Sequence, residues 1–269
     1  MSIIKNDFEK MNITKIKKSK NNKNLTMITA YDALFAKLFE EIADMILVGD
    51  SLNMSFAGKP DTLSATLEQM IYHTNAVCAG AKKSFVILDM PFGTYINKDE
   101  ALTNAVKVYQ QTNAAAIKIE GGEDKAHIVE HLTANSIAVM GHIGLMPQYV
   151  RSEGGYKVRG KTQEDAEQLI KDAVAIEKAG AFCIVVEGVL SDVAKRITDA
   201  VNVPVIGIGA GNVTDGQVLV WSDMLGFFED FKPKFVRHYL DGASLVKDAV
   251  NQYREDVQTK AFPSKEEEY

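Results

Sequence analysis

The strongest constraint on how this chain can fold is a rhythm of short apolar runs, each stopped by glycine, serine, histidine or an acid. They are LTMITAYD (25–32), MILVGDS (45–51), SFVILDMPF (84–92), AAIKIEGG (115–122), IAVMGHIG (137–144), FCIVVEG (182–188) and VPVIGIGAG (203–211). They are near-continuous rather than alternating. That marks strands buried on both faces, and so a parallel sheet. GQVLVWSDML (216–225) is an eighth candidate, less clear because it also reads as helix.

Helical patterns fill the intervals. ALFAKLFEEIA (33–43) places Leu34, Phe35, Leu38, Phe39 and Ile42 at helical spacing. LEQMIYHTNAVCAG (67–80) ends on glycine, a common helix stop. KDEALTNAVKVYQQTN (98–113), EDKAHIVEHLTAN (123–135), TQEDAEQLIKDAVAIEKAG (162–180) and VLSDVAKRITDA (189–200) follow the same style. Thr162 and Ser191 suit caps or first-turn positions. KPKFVRHYLDGASLVKDAVNQY (232–253) closes the series as helix. A chain of 269 residues that reads strand then helix about eight times, with no linker-like break, predicts one (β/α)8 barrel domain over 1–269. Its core spans about 12–255, with a short helix at the N-terminal end and a polar tail. A doubly wound open sheet is the alternative.

Composition narrows the function. The formal net charge of −6 argues against wholesale binding of nucleic acid, which favours basic domains. No run approaches the ~18 apolar residues of a membrane span. MSIIKNDFEK lacks the apolar core of a signal peptide. Cys78 and Cys183 fit no metal or redox spacing and read as reduced thiols of a cytoplasmic protein. The five lysines of TKIKKSKNNK (14–23) read as the solvated face of a short helix capped by Thr14.

In a barrel, the loops after the strands share one face, where barrel enzymes work. Asp50, Asp89, Glu120 and Glu187 would then meet from four strands, with Ser51, Lys118 and His142 beside them. Alone, each acid is an ordinary cap or loop residue. Together they repel, and a bound divalent cation relieves that repulsion. Oxygen donors suit Mg2+, and scattered histidines without an HExxH pattern disfavour zinc. Magnesium can chelate a 2-oxo acid and stabilise an enolate next to it. Lys118 and Glu120 lie two apart and point the same way; Lys118 then faces either a substrate carboxylate or a neighbouring acid. Glu187 follows CIVV, and an acid leaving an apolar run suits a general base, or else a paired structural acid. GIGAG (207–211) departs from the dinucleotide fingerprint, because Asn212 stands where its third glycine belongs. MPFGTY (90–95) and GYKVRGKT (155–162) read as mobile loops; the second either closes over an anionic ligand or is ordinary surface.

LTMITAYD, ILVGDSLNM, TLEQMIYHTNAV, IKIEGG, GHIGLMPQ, GYKVRGKT, GIGAGNVTDGQVLVWSDMLG and PKFVRHY together resemble the ketopantoate hydroxymethyltransferase family, in order over about residues 12–255. The resemblance implies a barrel of the phosphoenolpyruvate/pyruvate type and a homo-oligomer, a decamer. It implies transfer of a hydroxymethyl unit from 5,10-methylenetetrahydrofolate to 2-oxoisovalerate (3-methyl-2-oxobutanoate), the first committed step toward pantothenate. Carried over by motif, Asp50 and Asp89 match magnesium ligands, with Glu120 as the third acid, directly or through water. Asp50, Ser51, Asp89 and Lys118 match substrate-binding positions, His142 lies near the substrate, and Glu187 matches the proton acceptor. Asn53 stands where glycine is common in the family. The rival within the superfamily is a Mg2+-dependent lyase or phosphonomutase, which needs a loop cysteine in a KKCGH-like motif absent here. A non-catalytic barrel would have lost the strand-end acids, and all four are present.

Overall fold

The computed structural model describes residues 10–229 and 232–269. The chain divides into two compact units, 1–220 and 221–269. The first unit holds eight parallel strands: β1 (Leu25–Thr29), β2 (Met45–Val48), β3 (Phe85–Asp89), β4 (Ala116–Glu120), β5 (Val139–Gly144), β6 (Cys183–Glu187), β7 (Val205–Ile208) and β8 (Gly216–Leu219). Each pairs with the next, and β8 pairs with β1, so the sheet closes into the expected barrel. Closure rules out the open doubly wound sheet.

Helix α1 (Ile13–Lys18) precedes β1. The connections carry α2 (Ala33–Phe39), α3 (Leu52–Ser55), α4 (Leu67–Gly80), α5 (Lys98–Gln111), α6 (Ala126–Ala134), α7 (Gln163–Lys178) and α8 (Ser191–Ala200). Among the described residues, β7 passes to β8 by a loop alone. The cap of α1 is Asn12 rather than Thr14. Asn12 has extended backbone, and its side chain accepts from the Lys15 amide at 3.0 Å. Thr162 caps α7 by accepting from the Asp165 amide at 3.1 Å, and Ser191 sits in the first turn of α8.

The period of two explains the unbroken apolar runs. Met27, Met45, Leu47, Phe85, Ile87, Met140, Val185 and Ile206 join one buried cluster. Their strand neighbours Ile46, Val86, Ile117, Val139 and Ile184 are equally buried and point the other way, toward the helices. Ile16 of α1 joins the inner cluster. At the N-terminal ends of the strands the acids are structural. Asp44 accepts from the Thr26 amide at 2.9 Å and pairs with Lys23 at 2.7 Å. Asp215 accepts from the Val205 amide at 2.9 Å and pairs with Lys20 at 2.8 Å.

The second unit holds α9 (Trp221–Met224) and α10 (Gly242–Thr259). The ambiguous stretch 216–225 is therefore both readings in turn, β8 and then α9. The helix expected over 232–253 begins only at Gly242 and runs to Thr259. Pro233 keeps Lys232 out of helical backbone, and the Tyr239 amide bonds instead to the Met224 carbonyl at 2.8 Å.

Gly141 lets α7 close on β5. A Cβ there would stand 2.4 Å from Cγ2 of Ile176, itself fully buried. Gly141→Ala is expected to cost about 1–3 kcal/mol by overpacking. Adding Ile176→Ala should recover part of that loss, so the double variant is less destabilised than the sum of the singles. Urea unfolding of the three variants measures this; strict additivity would contradict the contact.

Candidate active site

Parallel strands put all their C-terminal ends on one rim. Asp89 closes β3 and pairs in register with Lys118 of β4; Glu120 of β4 pairs with His142 of β5, and Gly144 with Glu187 of β6. Asp50 and Ser51 follow β2 directly. Asp50, Asp89, Lys118, Glu120 and His142 are all buried. Glu187 keeps 20% of its side chain exposed and reaches the mouth. The structure thus brings together every site residue expected from the sequence.

Lys118 lies at the centre. Its Nζ is 2.6 Å from Asp89 Oδ1, 3.7 Å from Glu120 Oε1 and 3.2 Å from His142 Nδ1. Burial works against its charge, but Asp89, Glu120 and Asp50 outweigh burial and raise its pKa, so it is an ammonium. The inward lysine thus has the acid partners that were the alternative to a substrate carboxylate. His142 bridges onward, with Nδ1 3.4 Å from Glu120 Oε1 and Nε2 3.3 Å from Glu187 Oε2. Burial and Lys118 oppose its protonation, yet the bonds to Glu120 and Glu187 prevail and lift it to about 9.

Asp50 is the odd acid. No cation lies within ion-pair distance of it among the described residues. Its amide donates to Asp89 Oδ2 at 3.3 Å, and its Oδ2 accepts from Gln148 Nε2 at 2.9 Å. Burial, then Asp89, then Glu120 push its pKa well above the usual carboxylate range. A hard divalent cation beside Asp50 and Asp89 would reverse that, so the donor chemistry fits magnesium. Among the described residues, no three Asp, Glu, His or Cys side chains are arranged to hold an ion by themselves. Glu120 is engaged elsewhere, by Lys118, His142 and the Gln148 amide. Asp50 and Asp89 both line the cavity, and Asp89 is shared with Lys118.

That cavity, of about 100 Å³, is lined by Asp50, Ser51, Asp89, Lys118, Glu120, His142 and Glu187 together with Leu47, Val185, Ile208, Val218 and Val220. Residues 10–265 match the family model described as ketopantoate hydroxymethyltransferase. The chain belongs to that family. It is 85% identical over 269 residues, all of both chains, to the 3-methyl-2-oxobutanoate hydroxymethyltransferase of Aliarcobacter butzleri (strain RM4018). It is 69% identical to the enzyme of that name from Sulfurimonas denitrificans, covering 95% of this chain and 97% of the relative. In structure it resembles a phosphonopyruvate hydrolase solved with oxalate and Mg++ (TM-score 0.62, 13% identity, 96% and 93% of the two chains). It also resembles 2,3-dimethylmalate lyase of the PEP mutase/isocitrate lyase superfamily (TM-score 0.56, 16% identity, 92% and 86%). Those likenesses carry the fold alone, a (β/α)8 barrel.

Further residues of this ketopantoate hydroxymethyltransferase family member surround the site. Tyr31 and Ser51 share a hydroxyl–hydroxyl bond of 2.9 Å. Gln148 and Tyr95 bond to each other and to the acids. Arg159 belongs to the loop that reads from sequence either as closing over an anionic ligand or as ordinary surface, and its Nη2 is 2.7 Å from Asp165 Oδ1. That loop is also tied down by the Arg159 amide on the Gly188 carbonyl at 2.8 Å. Asn53 is buried and donates to the Asp61 carbonyl at 2.8 Å and Ser64 Oγ at 3.0 Å, a tether glycine could not make.

Lys118→Met would leave Asp89 and Glu120 facing each other without their ammonium. In chelator at pH 7 this is expected to cost about 3–5 kcal/mol of stability. The acids would then hold protons more tightly folded than unfolded, so the deficit exists above their folded pKa and shrinks as pH falls. Urea unfolding near pH 7 and pH 5 checks the sign; a deficit that grows toward pH 5 refutes it.

Proposed function

We propose that this protein transfers a hydroxymethyl group from 5,10-methylenetetrahydrofolate to 3-methyl-2-oxobutanoate, giving 2-dehydropantoate on the route to pantothenate. The observation that carries the reading is the mixed lining of the cavity, where the Asp50 and Asp89 carboxylates and the part-exposed Glu187 stand with Leu47, Val185, Ile208 and Val218, apolar groups that suit a branched carbon chain.

Asp50 and Asp89 would hold Mg2+, with Glu120 reaching it through water. When bound there, magnesium would supply Lewis-acid polarisation of a 2-oxo acid. Lys118 adds positive charge for the substrate carboxylate while remaining paired with Asp89. Ser51, held by Tyr31, offers a hydroxyl at the cavity wall. Leu47, Val185, Ile208 and Val218 would receive the isopropyl group and exclude water from it. C3 of the substrate then faces Glu187, which removes its proton as general base. His142 Nε2 lies 3.3 Å from Glu187 Oε2 and helps to orient that carboxylate. The C3 carbon forms a bond to the methylene carbon of the folate iminium; the bond from that carbon to the folate nitrogen then breaks as water gives its hydroxyl to the carbon and its proton to the released tetrahydrofolate nitrogen.

The homo-oligomer carried by the family resemblance, a decamer, also stands as a proposal. Leu34, Leu38 and Ile42 support it, because they form an exposed apolar stripe on and just past α2. No helix among the described residues is long and apolar enough to cross a membrane.

The decisive assay follows the C3 proton of 2-oxoisovalerate by NMR in D2O with Mg2+ and no folate. The proton should exchange, and chelation of Mg2+ should stop it. Glu187→Gln should slow exchange by a factor of about 10²–10⁴, the usual worth of a general base, while still binding the oxo acid. Exchange at the wild-type rate in Glu187→Gln removes the base assignment. No turnover of 2-oxoisovalerate with methylenetetrahydrofolate removes the substrate assignment.

A further inference from the structure

Gln148 sits in a short 3-10 turn, Pro147–Tyr149, that follows β5, and it is 4% exposed. From there it touches the ends of three other strands. Its backbone amide donates to Glu120 Oε2 at 3.0 Å, on β4. Its Nε2 donates to the Met90 carbonyl at 3.0 Å, just past β3, and to Asp50 Oδ2 at 2.9 Å, just past β2. Its Oε1 accepts from the Tyr95 hydroxyl. Every hydrogen-bonding group of the residue except its carbonyl is thereby committed to the rim.

The direction of this chain is forced. The Glu120 amide can only donate, so at 3.3 Å the Tyr95 oxygen accepts from it. The Tyr95 proton is then free to go to Gln148 Oε1. With its oxygen occupied, the Gln148 amide turns its NH2 toward the Met90 carbonyl, which can only accept, and toward Asp50 Oδ2. A flipped amide would set oxygen against a carboxylate and a carbonyl. Asp50 is therefore held through Oδ2, and among the described residues no hydrogen bond holds Oδ1. Oδ1 is the oxygen left for a cation.

We propose that Gln148, locked by Tyr95, is a positioning residue that holds Asp50 and Glu120 in the geometry that receives magnesium. The inference rests on the reading of Asp50 and Asp89 as the magnesium ligands. It assigns the selection of that geometry to an amide and a phenol that touch neither metal nor substrate. Outer partners of this kind commonly govern metal affinity by orienting the inner ligands.

The test is calorimetric titration of Mg2+ into the full-length protein without substrates, for wild type, Gln148→Met and Tyr95→Phe. Methionine keeps the length of glutamine, and phenylalanine removes a single hydroxyl. The dissociation constant for Mg2+ should rise about 10–100-fold in Gln148→Met, and less but in the same direction in Tyr95→Phe. In activity assays the Mg2+ midpoint should shift likewise, with turnover recovering toward wild type at saturating Mg2+. If wild type binds Mg2+ and both variants bind it equally tightly, the inference is overturned. A fall in turnover with an unmoved Mg2+ midpoint overturns it too, because that marks a merely structural role. If Gln148→Met fails to fold, Tyr95→Phe alone decides. No binding by wild type overturns the magnesium reading, and this inference with it, by a visibly different pattern.

Discussion

One buried ammonium organises the mouth of this barrel. Three carboxylates, Asp50, Asp89 and Glu120, come off three adjacent strands and are each at most 3% exposed. Two like charges about 4 Å apart repel by about 4 kcal/mol even at a protein-like effective dielectric of about 20. Lys118 answers two of the three, and the register decides which. Asp89 and Lys118 are paired positions of β3 and β4, so their side chains meet at 2.6 Å. Glu120, two residues on, leans toward both Lys118 and His142. The arithmetic leaves Asp50 without an ammonium of its own, and that deficit defines the chemistry of the site.

The same side chain has a different fate at the opposite end of the barrel. Asp44 and Asp215 are also buried acids beside barrel strands, yet each has a lysine and a backbone amide within hydrogen-bond distance. Those acids fasten strands to loops. Asp50 instead receives its own protein's amide from Gln148 and the pressure of two neighbouring acids. The contrast separates a structural carboxylate from one kept in readiness for a ligand. Burial alone does not distinguish them, since Asp44 and Asp50 are each 3% exposed.

Much of this was legible in the sequence, for a physical reason. A strand buried on both faces must be apolar at every position, so seven strands stand out from the chain. The eighth was ambiguous because Gly216–Leu219 is short and runs almost directly into a helical turn at Trp221. The start of the last helix was misplaced because periodicity outlasts the helix, while Pro233 and the Met224 carbonyl decide where it begins. The acids, Lys118 and His142 were found because each sits at a strand end, a position fixed by local pattern. Gln148 and Tyr95 carry no such mark. LMPQ reads as an ordinary turn, and what makes its glutamine special is three partners 28 to 98 residues away along the chain. Long-range hydrogen bonds leave no period to read.

Stability and function pull against each other at this rim. The barrel's inner cluster is close-packed and apolar along its length, then gives way within one strand residue to a group of facing charges. Without a ligand those charges are a burden that the rest of the barrel must hold in place. Lys118, the Gln148–Tyr95 chain and the backbone of four strands do so together, because no single contact is strong enough. A ligand that supplies positive charge at Asp50 relieves the burden and stabilises the folded state by mass action, by about 2.7 kcal/mol at a hundred times its dissociation constant. The repulsion that makes these facing acids costly is thus the same quantity that a cation beside Asp50 would relieve. A second lysine beside Asp50 would remove that repulsion and give a sturdier barrel.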